Sequence, residues 1–177
     1  MSGSWDFSSL YDGPAFDDRP ISYVVDVDAS SVAALTAKKQ ELENWMMPCH
    51  RSQLIDDAAP AWYYTAECIS VTETDNTIVS QLKIEFTAEP YKKSVQLYTA
   101  AYTPSAAADV VANNIGTFPV IPTITCAAAA TVIYGGNTYA LGIGDHTDDV
   151  FELAIGNNTF NVTSTVAVTI SWRTEVI

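Results

Sequence analysis

The most constraining feature of this chain is a period-two alternation of apolar and polar residues, interrupted once by a helical stripe. Ile21, Tyr23, Val25 and Val27 alternate with Ser22, Val24 and Asp26. Ile78, Ser80, Leu82, Ile84 and Phe86 share one face, with Gln81, Lys83 and Glu85 opposite. Val166, Val168, Ile170 and Trp172 do the same near the C-terminus. Successive side chains of a strand point to opposite faces, so each run predicts a half-buried β-strand. The exception begins at Ser30 and Ser31, which offer N-cap oxygens. Val32, Leu35, Leu42, Trp45 and Met46 follow at helical spacing, and Pro48 cannot continue the helix. This stripe predicts one core-facing helix. The fold class is therefore mostly β with one helix.

Turn residues divide the strands. Gly13-Pro14 and Arg19-Pro20 mark residues 1–20 as an extended lead. Residues 48–60 read as a loop anchored by Leu54 and Ile55. Trp62, Tyr64, Ala66, Cys68 and Ser70 form a strand face, and Glu73-Thr74-Asp75-Asn76 suits a hairpin turn to the next strand. Residues 21–92 thus read as an α+β domain. The Ala-, Asn- and Gly-rich stretch within 93–119 reads as a linker or edge segment. Residues 120–177 read as a small β-sandwich. It is expected to hold hairpins at Gly135-Gly136-Asn137 and at Gly156-Asn157-Asn158.

Composition narrows the function. Eight Lys and Arg against 21 Asp and Glu give a formal charge of −13, so the chain is a poor candidate for gripping phosphate backbones. With 48% hydrophobic and 16% charged residues it is too apolar for a disordered acidic tail, and its uncharged surface suits burial against partners. No apolar run approaches the ~20 residues that span a bilayer, and the N-terminus lacks the pattern of a signal peptide. Cys49, Cys68 and Cys126 have neither metal-ligand nor disulfide spacing and read as free thiols. The Asn157 and Asn161 glycosylation patterns carry no meaning without secretion.

Catalytic signals are sparse. Cys49 and His50 are adjacent, which suggests a thiol–imidazole pair, but neighbours in an extended loop point apart and nothing orients them. Asp145, His146, Asp148 and Asp149 could offer oxygens to a hard cation but lack the spacing of a calcium loop, so a solvated turn is the default. Gly142 and Gly144 precede no helix and read as turn residues. No two carboxylates are singled out as a glycosidase pair. Trp62, Tyr134, Tyr139 and Trp172 could line a carbohydrate site, although alternation puts several of them on core faces. The expectation is a protein with no catalytic residues, no metal and no cofactor.

Several short motifs in order resemble a known family. Arg19-Pro20-Ile21-Ser22-Tyr23 leads into the first strand, and the helix ends at Trp45-Met46-Met47-Pro48. Leu54-Ile55-Asp56-Asp57, Trp62-Tyr63-Tyr64-Thr65-Ala66 and Phe86-Thr87-Ala88-Glu89-Pro90-Tyr91 follow. The second half adds Asn114-Ile115-Gly116-Thr117-Phe118-Pro119, Phe151-Glu152-Leu153-Ala154-Ile155-Gly156-Asn157-Asn158 and Val168-Thr169-Ile170-Ser171-Trp172-Arg173. This order is similar to that of the distal tail proteins of long-tailed bacteriophages. The match spans most of residues 19–173, with a shortened lead and a shortened second domain. The resemblance implies a belt domain, a β-sandwich or barrel plus helix, followed by an abbreviated galectin-like sandwich. It implies a structural virion protein at the tail tip, made in the host bacterial cytoplasm. Its partners would be further copies of itself in a ring, usually a hexamer, together with the tail-tube protein and the tail-tip hub protein. Side-fibre or receptor-binding proteins would meet the outer domain, and DNA would only pass through. A related tail-tube subunit, which stacks into filaments, and a non-catalytic carbohydrate-binding sandwich are the alternatives. Met47, Pro48, Leu54 and Ile55, apolar residues at the helix-to-loop corner, are the candidate interface. An acidic bore would let DNA slide without sticking; on that hypothesis Lys substitutions in the bore slow genome ejection, and unchanged ejection kinetics would remove it.

Overall fold

A computed structural model describes residues 16–47, 50–73, 79–104 and 107–177. The chain divides into two compact units, one of residues 1–54 and 64–90, the other of residues 55–63 and 91–177.

The first unit is a sheet with one helix. Its strands are β1 (Arg19–Asp28), β2 (Ser52–Ile55), β3 (Trp62–Glu73) and β4 (Val79–Ser94), in the order β1-β4-β3-β2. β1 and β4 run antiparallel with Tyr23 opposite Ile84 and Val25 opposite Leu82. The predicted alternation holds along β4, where Leu82, Ile84, Phe86 and Ala88 are buried and Gln81 is exposed. Ala66 and Cys68 from β3 join Ile84, Phe86 and Ala88 in the core, with Ile21, Tyr23, Met46 and Leu54 packed around them. Ile78 and the expected turn at Thr74, Asp75 and Asn76 lie outside the described residues. The segment expected as a 48–60 loop contains β2, because Leu54 turns its side chain onto this core.

α1, the one α-helix among the described residues, spans Val32–Met46. The Ser31 hydroxyl caps it by accepting from the Ala34 amide at 3.2 Å. Its orientation corrects the expected stripe. Leu35 is buried and Leu42 and Met46 are half-buried, but Val32 is 54% and Trp45 68% exposed. A helix turns about 100° per residue, so Leu35, Leu42 and Met46 fall within about 40° of arc. Val32 and Trp45 lie at opposite borders of that arc, about 60° and 80° from its centre. A stripe that wide cannot lie wholly on one flat sheet.

The second unit is a β-sandwich. One sheet has the order β10-β7-β12-β5, from β10 (Gly144–His146), β7 (Thr123–Cys126), β12 (Val168–Trp172) and β5 (Tyr98–Tyr102). The other has the order β6-β11-β8-β9, from β6 (Ala108–Asn114), β11 (Gly156–Ser164), β8 (Ala130–Tyr134) and β9 (Asn137–Leu141). Tyr102, Ile124, Val132, Phe151, Leu153, Phe160, Val162, Val168 and Ile170 fill the space between them. The hairpin at Gly135-Gly136 forms as expected: both glycines have positive φ, 57° and 80°, and Tyr134 pairs with Asn137.

Two boundaries differ from the sequence reading. Within 93–119, the expected linker or edge segment, β5 and β6 are edge strands of the two sheets, so the sandwich begins well before residue 120. Small alternating residues such as Ala100, Ala108 and Ala112 pack on its core. The hairpin expected at Gly156-Asn157-Asn158 does not form. The chain reverses earlier, in a 3-10 turn at Asp149–Phe151, and Leu153 bridges to Val120. Asn158 is buried instead: its amide donates to the carbonyls of Ala154 and Gly156, and its oxygen accepts from Ala154 and Tyr134.

The last strand, β13 (Glu175–Val176), pairs with the end of β4, Glu175 opposite Lys93. The Thr117 amide donates to the Glu175 carbonyl at 2.9 Å. Gly116 makes this approach possible, because a Cβ there would lie 2.6 Å from the Glu175 carbonyl oxygen.

Candidate functional site

The C-terminal end of α1 leaves large apolar side chains exposed on the first unit. Met46 anchors it inward on the core. Trp45 stands outward at the lip of two clefts. One, of about 360 Å³, is lined by Val27, Lys38, Glu41 and Leu42. The other, of about 200 Å³, reaches Leu54, Ala66, Cys68 and Phe86 and has no charged lining residue. Met47, 47% exposed, borders a third cleft with Gln40, Glu43, Asn44 and Ile69, and Ile69 is 49% exposed. The Cys68 thiol lies 4.0 Å from the Met47 sulfur. Large apolar side chains left in solvent, one of them beside an uncharged cleft, are the composition of a contact surface.

The interface residues chosen from sequence divide. Met47 and Ile55 are exposed. Leu54 packs on the core. Pro48 lies outside the described residues. Trp45, which sequence reasoning placed in the core, is the most exposed large apolar residue among the described residues of the first unit. Its position at the border of an over-wide stripe was the signal that could have found it.

Local electrostatics are modest. Lys83 and then Ser70 bond Glu85 and hold its carboxyl below the usual range. Asp18 pairs with Arg51 and raises the guanidinium further. In the second unit the Val150 amide, followed by Asp149, lowers Asp148, which caps the 3-10 turn. Burial raises the Cys126 thiol. Burial and then Glu152 raise the Tyr134 phenol.

The other candidates fall into structural roles. His146 Nε2 lies 2.9 Å from the Gly142 carbonyl oxygen, and Asp145 accepts from the Thr125 hydroxyl at 2.7 Å. Among the described residues no group of three or more His, Cys, Asp or Glu could hold a metal ion. Cys49 lies outside the described residues, so the Cys49–His50 pair does too. Tyr134 stacks on Phe160 with ring centroids 4.3 Å apart, Tyr139 meets Phe151 at 4.8 Å, and Trp172 is 5% exposed beside Tyr98. Of the four aromatics considered for a sugar platform, these three are committed to the sandwich core. Trp62 is half-buried. Among the described residues no helix is long and apolar enough to cross a membrane.

No protein-family model and no curated protein matches the chain by sequence. Among solved structures, the chain is similar to the crystal structure of the Dit protein (gp 19.1) of phage SPP1. That protein is described as a paradigm of the hub adsorption apparatus in phages infecting Gram-positive bacteria. The TM-score is 0.68 at 15% identity, covering 92% of this chain and 81% of that one. A mostly β chain with one helix and a C-terminal sandwich, matched over nearly its whole length, has a fold like that of a phage distal tail protein.

Proposed function

We propose that this chain is a structural protein of a bacteriophage tail. In this reading it forms a ring at the distal end of the tail tube, joins the tube to the tip hub proteins and surrounds the channel through which DNA passes. It carries out no catalysis and resides in the virion. The observation that supports this best is the fold likeness to the SPP1 protein, which extends over 92% of the chain and so takes in both units. The exposed flank of α1, with Trp45 and Met47, supplies apolar surface for copy-to-copy contact.

Multi-angle light scattering on the purified chain, followed by negative-stain imaging, tests the reading. A closed ring of about six copies with a central hole is the expected result, since soluble homo-oligomers close by symmetry. Filaments would assign the chain to the tube itself. A monomer at every concentration would remove the ring.

A further inference from the structure

The strand pairing of the second unit slips in register near its C-terminal end. Trp172 lies opposite Tyr98, but Glu175 lies opposite Lys93. Arg173 and Thr174 on one side therefore face Ser94, Val95, Gln96 and Leu97 on the other. A β-bulge of this kind carries one strand away from its partner and takes polar groups out of the ladder.

Most of those groups find substitutes. The Ser94 amide donates to the Thr174 carbonyl at 3.0 Å, and the Val95 amide to the Ala61 carbonyl at 2.9 Å. The Arg173 guanidinium donates to the Ser94 carbonyl at 2.9 Å and also to the Val95 carbonyl, with its Cζ 5.9 Å from the centroid of the Tyr63 ring. The Ser94 hydroxyl donates to the Gln96 carbonyl. Two groups are left over. Trp172 Nε1 and Thr174 Oγ1 have no hydrogen-bond partner among the described residues. Trp172 is 5% exposed and Thr174 0%. Val168, Ile170, Trp172 and Thr174 are buried, while Thr169, Ser171 and Arg173 between them are half-buried. Both leftover groups therefore stand on the inward side of one stretch of extended chain. More than about nine in ten buried polar atoms of folded proteins are bonded, water counted among the partners. A bare one costs its full desolvation.

We infer that the bulge holds an internal water molecule that bridges Trp172 Nε1 and Thr174 Oγ1. The chemistry of the two groups selects the ligand. An indole N–H only donates, so the ligand must offer a lone pair, which a metal cation does not. An anion needs a paired cation to be buried cheaply, and the Arg173 guanidinium points to the other side of the strand and is held by two carbonyls. A partner's side chain does not reach atoms buried this deeply. Water accepts from the indole and exchanges a hydrogen bond with the hydroxyl. The spacing suits it. Residues two apart on a strand lie about 6.6 Å apart, and two hydrogen bonds end to end span about 5.8 Å. Internal waters make about three hydrogen bonds, and the bulge carbonyls keep spare lone pairs for the third. The site ties the end of β12 to the residue that leads into β13, and it stands whether or not the chain forms a ring.

Two measurements on the full chain test it. A high-resolution crystal structure is expected to show a water peak about 2.7–3.2 Å from both Trp172 Nε1 and Thr174 Oγ1. Thr174→Val keeps the shape of the side chain and removes the hydroxyl. With the water bound, the variant takes a partner from it, and Tm falls by about 3–6 °C. With a bare hydroxyl, the same change removes an unpaired polar group, and Tm rises. A rise or an unchanged Tm overturns the inference. So does density that meets one of the two atoms or neither. Should Thr174→Val fail to fold, the density of the wild-type protein decides alone.

Discussion

Gly116→Ala probes the C-terminal latch of the second unit. An added Cβ would sit 2.6 Å from the Glu175 carbonyl oxygen, 2.9 Å from its amide nitrogen and 3.1 Å from the Asn114 side-chain oxygen. The two nearest atoms are backbone, so no side chain can swing aside. Either β13 moves or the 114–117 segment does. If β13 moves, the Thr117–Glu175 hydrogen bond and the pairing of Glu175 with Lys93 weaken together. If the 114–117 segment moves, it disturbs Asn114, whose side chain bonds Phe118 and Leu153 carbonyls from a fully buried position. Overpacking typically costs about 1–3 kcal/mol and a lost hydrogen bond about 1 kcal/mol, so the expected loss is about 3 kcal/mol. At about 3 °C per kcal/mol for a chain of this length, Tm falls by about 9 °C in calorimetry. Gly142→Ala is the control, since a Cβ there meets nothing within 4 Å and the backbone is not in the left-handed region. It should hold the wild-type Tm. A Gly116→Ala protein that melts with the wild type would show that Glu175 does not press against residue 116, and the latch would be wrong.

Three further outcomes rest on burial and charge elsewhere in the two units. Trp45→Ala should leave Tm nearly unchanged while weakening self-association, whereas Leu35→Ala should cost about 2–4 kcal/mol of stability; the reverse pattern in paired melting and light scattering would contradict the orientation of α1. Asp148 has a depressed pKa in the folded chain, so its contribution to stability is present above the unfolded-state value and is lost as pH falls through the folded value. Asp148→Asn should therefore flatten the acid side of a Tm-against-pH curve, and an unchanged slope below about pH 4 would refute it. The Cys126 thiol, buried and with its pKa raised, should resist iodoacetamide at pH 8 until the protein is unfolded; native labelling at the rate of a free thiol would show that the sandwich opens.

Much of this was legible in the sequence, and the failures have physical causes. The Gly135-Gly136 turn could be read because two positive φ values are a local demand that glycine meets cheaply. The strand faces of β4 and β12 could be read because alternation is also local. The orientation of α1 could not, because a stripe states which residues are apolar and not how much of it a flat sheet can cover. β5 and β6 were hidden by their alanines, which carry too little hydropathy to mark a strand yet pack well between neighbours. Asn158 looked like a turn residue from its glycine neighbour. Only the tertiary fold shows it as a buried clamp that satisfies its own segment. Leu54 read as surface because its segment carried no strand pattern. Met47 and Ile55, each one position from a residue that packs on the core, are exposed.

The two units differ in how complete their interiors are, and this bears on how a ring would form. The sandwich core joins residues from both sheets, and its buried asparagines have partners. Among its described buried polar side-chain atoms, Trp172 Nε1 and Thr174 Oγ1 lack a hydrogen-bond partner. In the first unit the described core cluster is Ala66, Cys68, Ile84, Phe86 and Ala88, smaller in number and in side-chain size. Its helix buries Leu35 fully and leaves Trp45 in solvent. Regions with few buried apolar contacts open at lower free energy, so amides of α1 should exchange with deuterium well before those of β11 and β12. Association that covers Trp45 adds its binding free energy to the first unit, and mass action then raises the protection of α1 with protein concentration. Hydrogen exchange at two concentrations, one below and one above the onset of assembly, reads both effects. Equal protection of α1 and β11 in the dilute protein would refute the difference in completeness. Protection of α1 that does not rise on assembly would place the contact elsewhere.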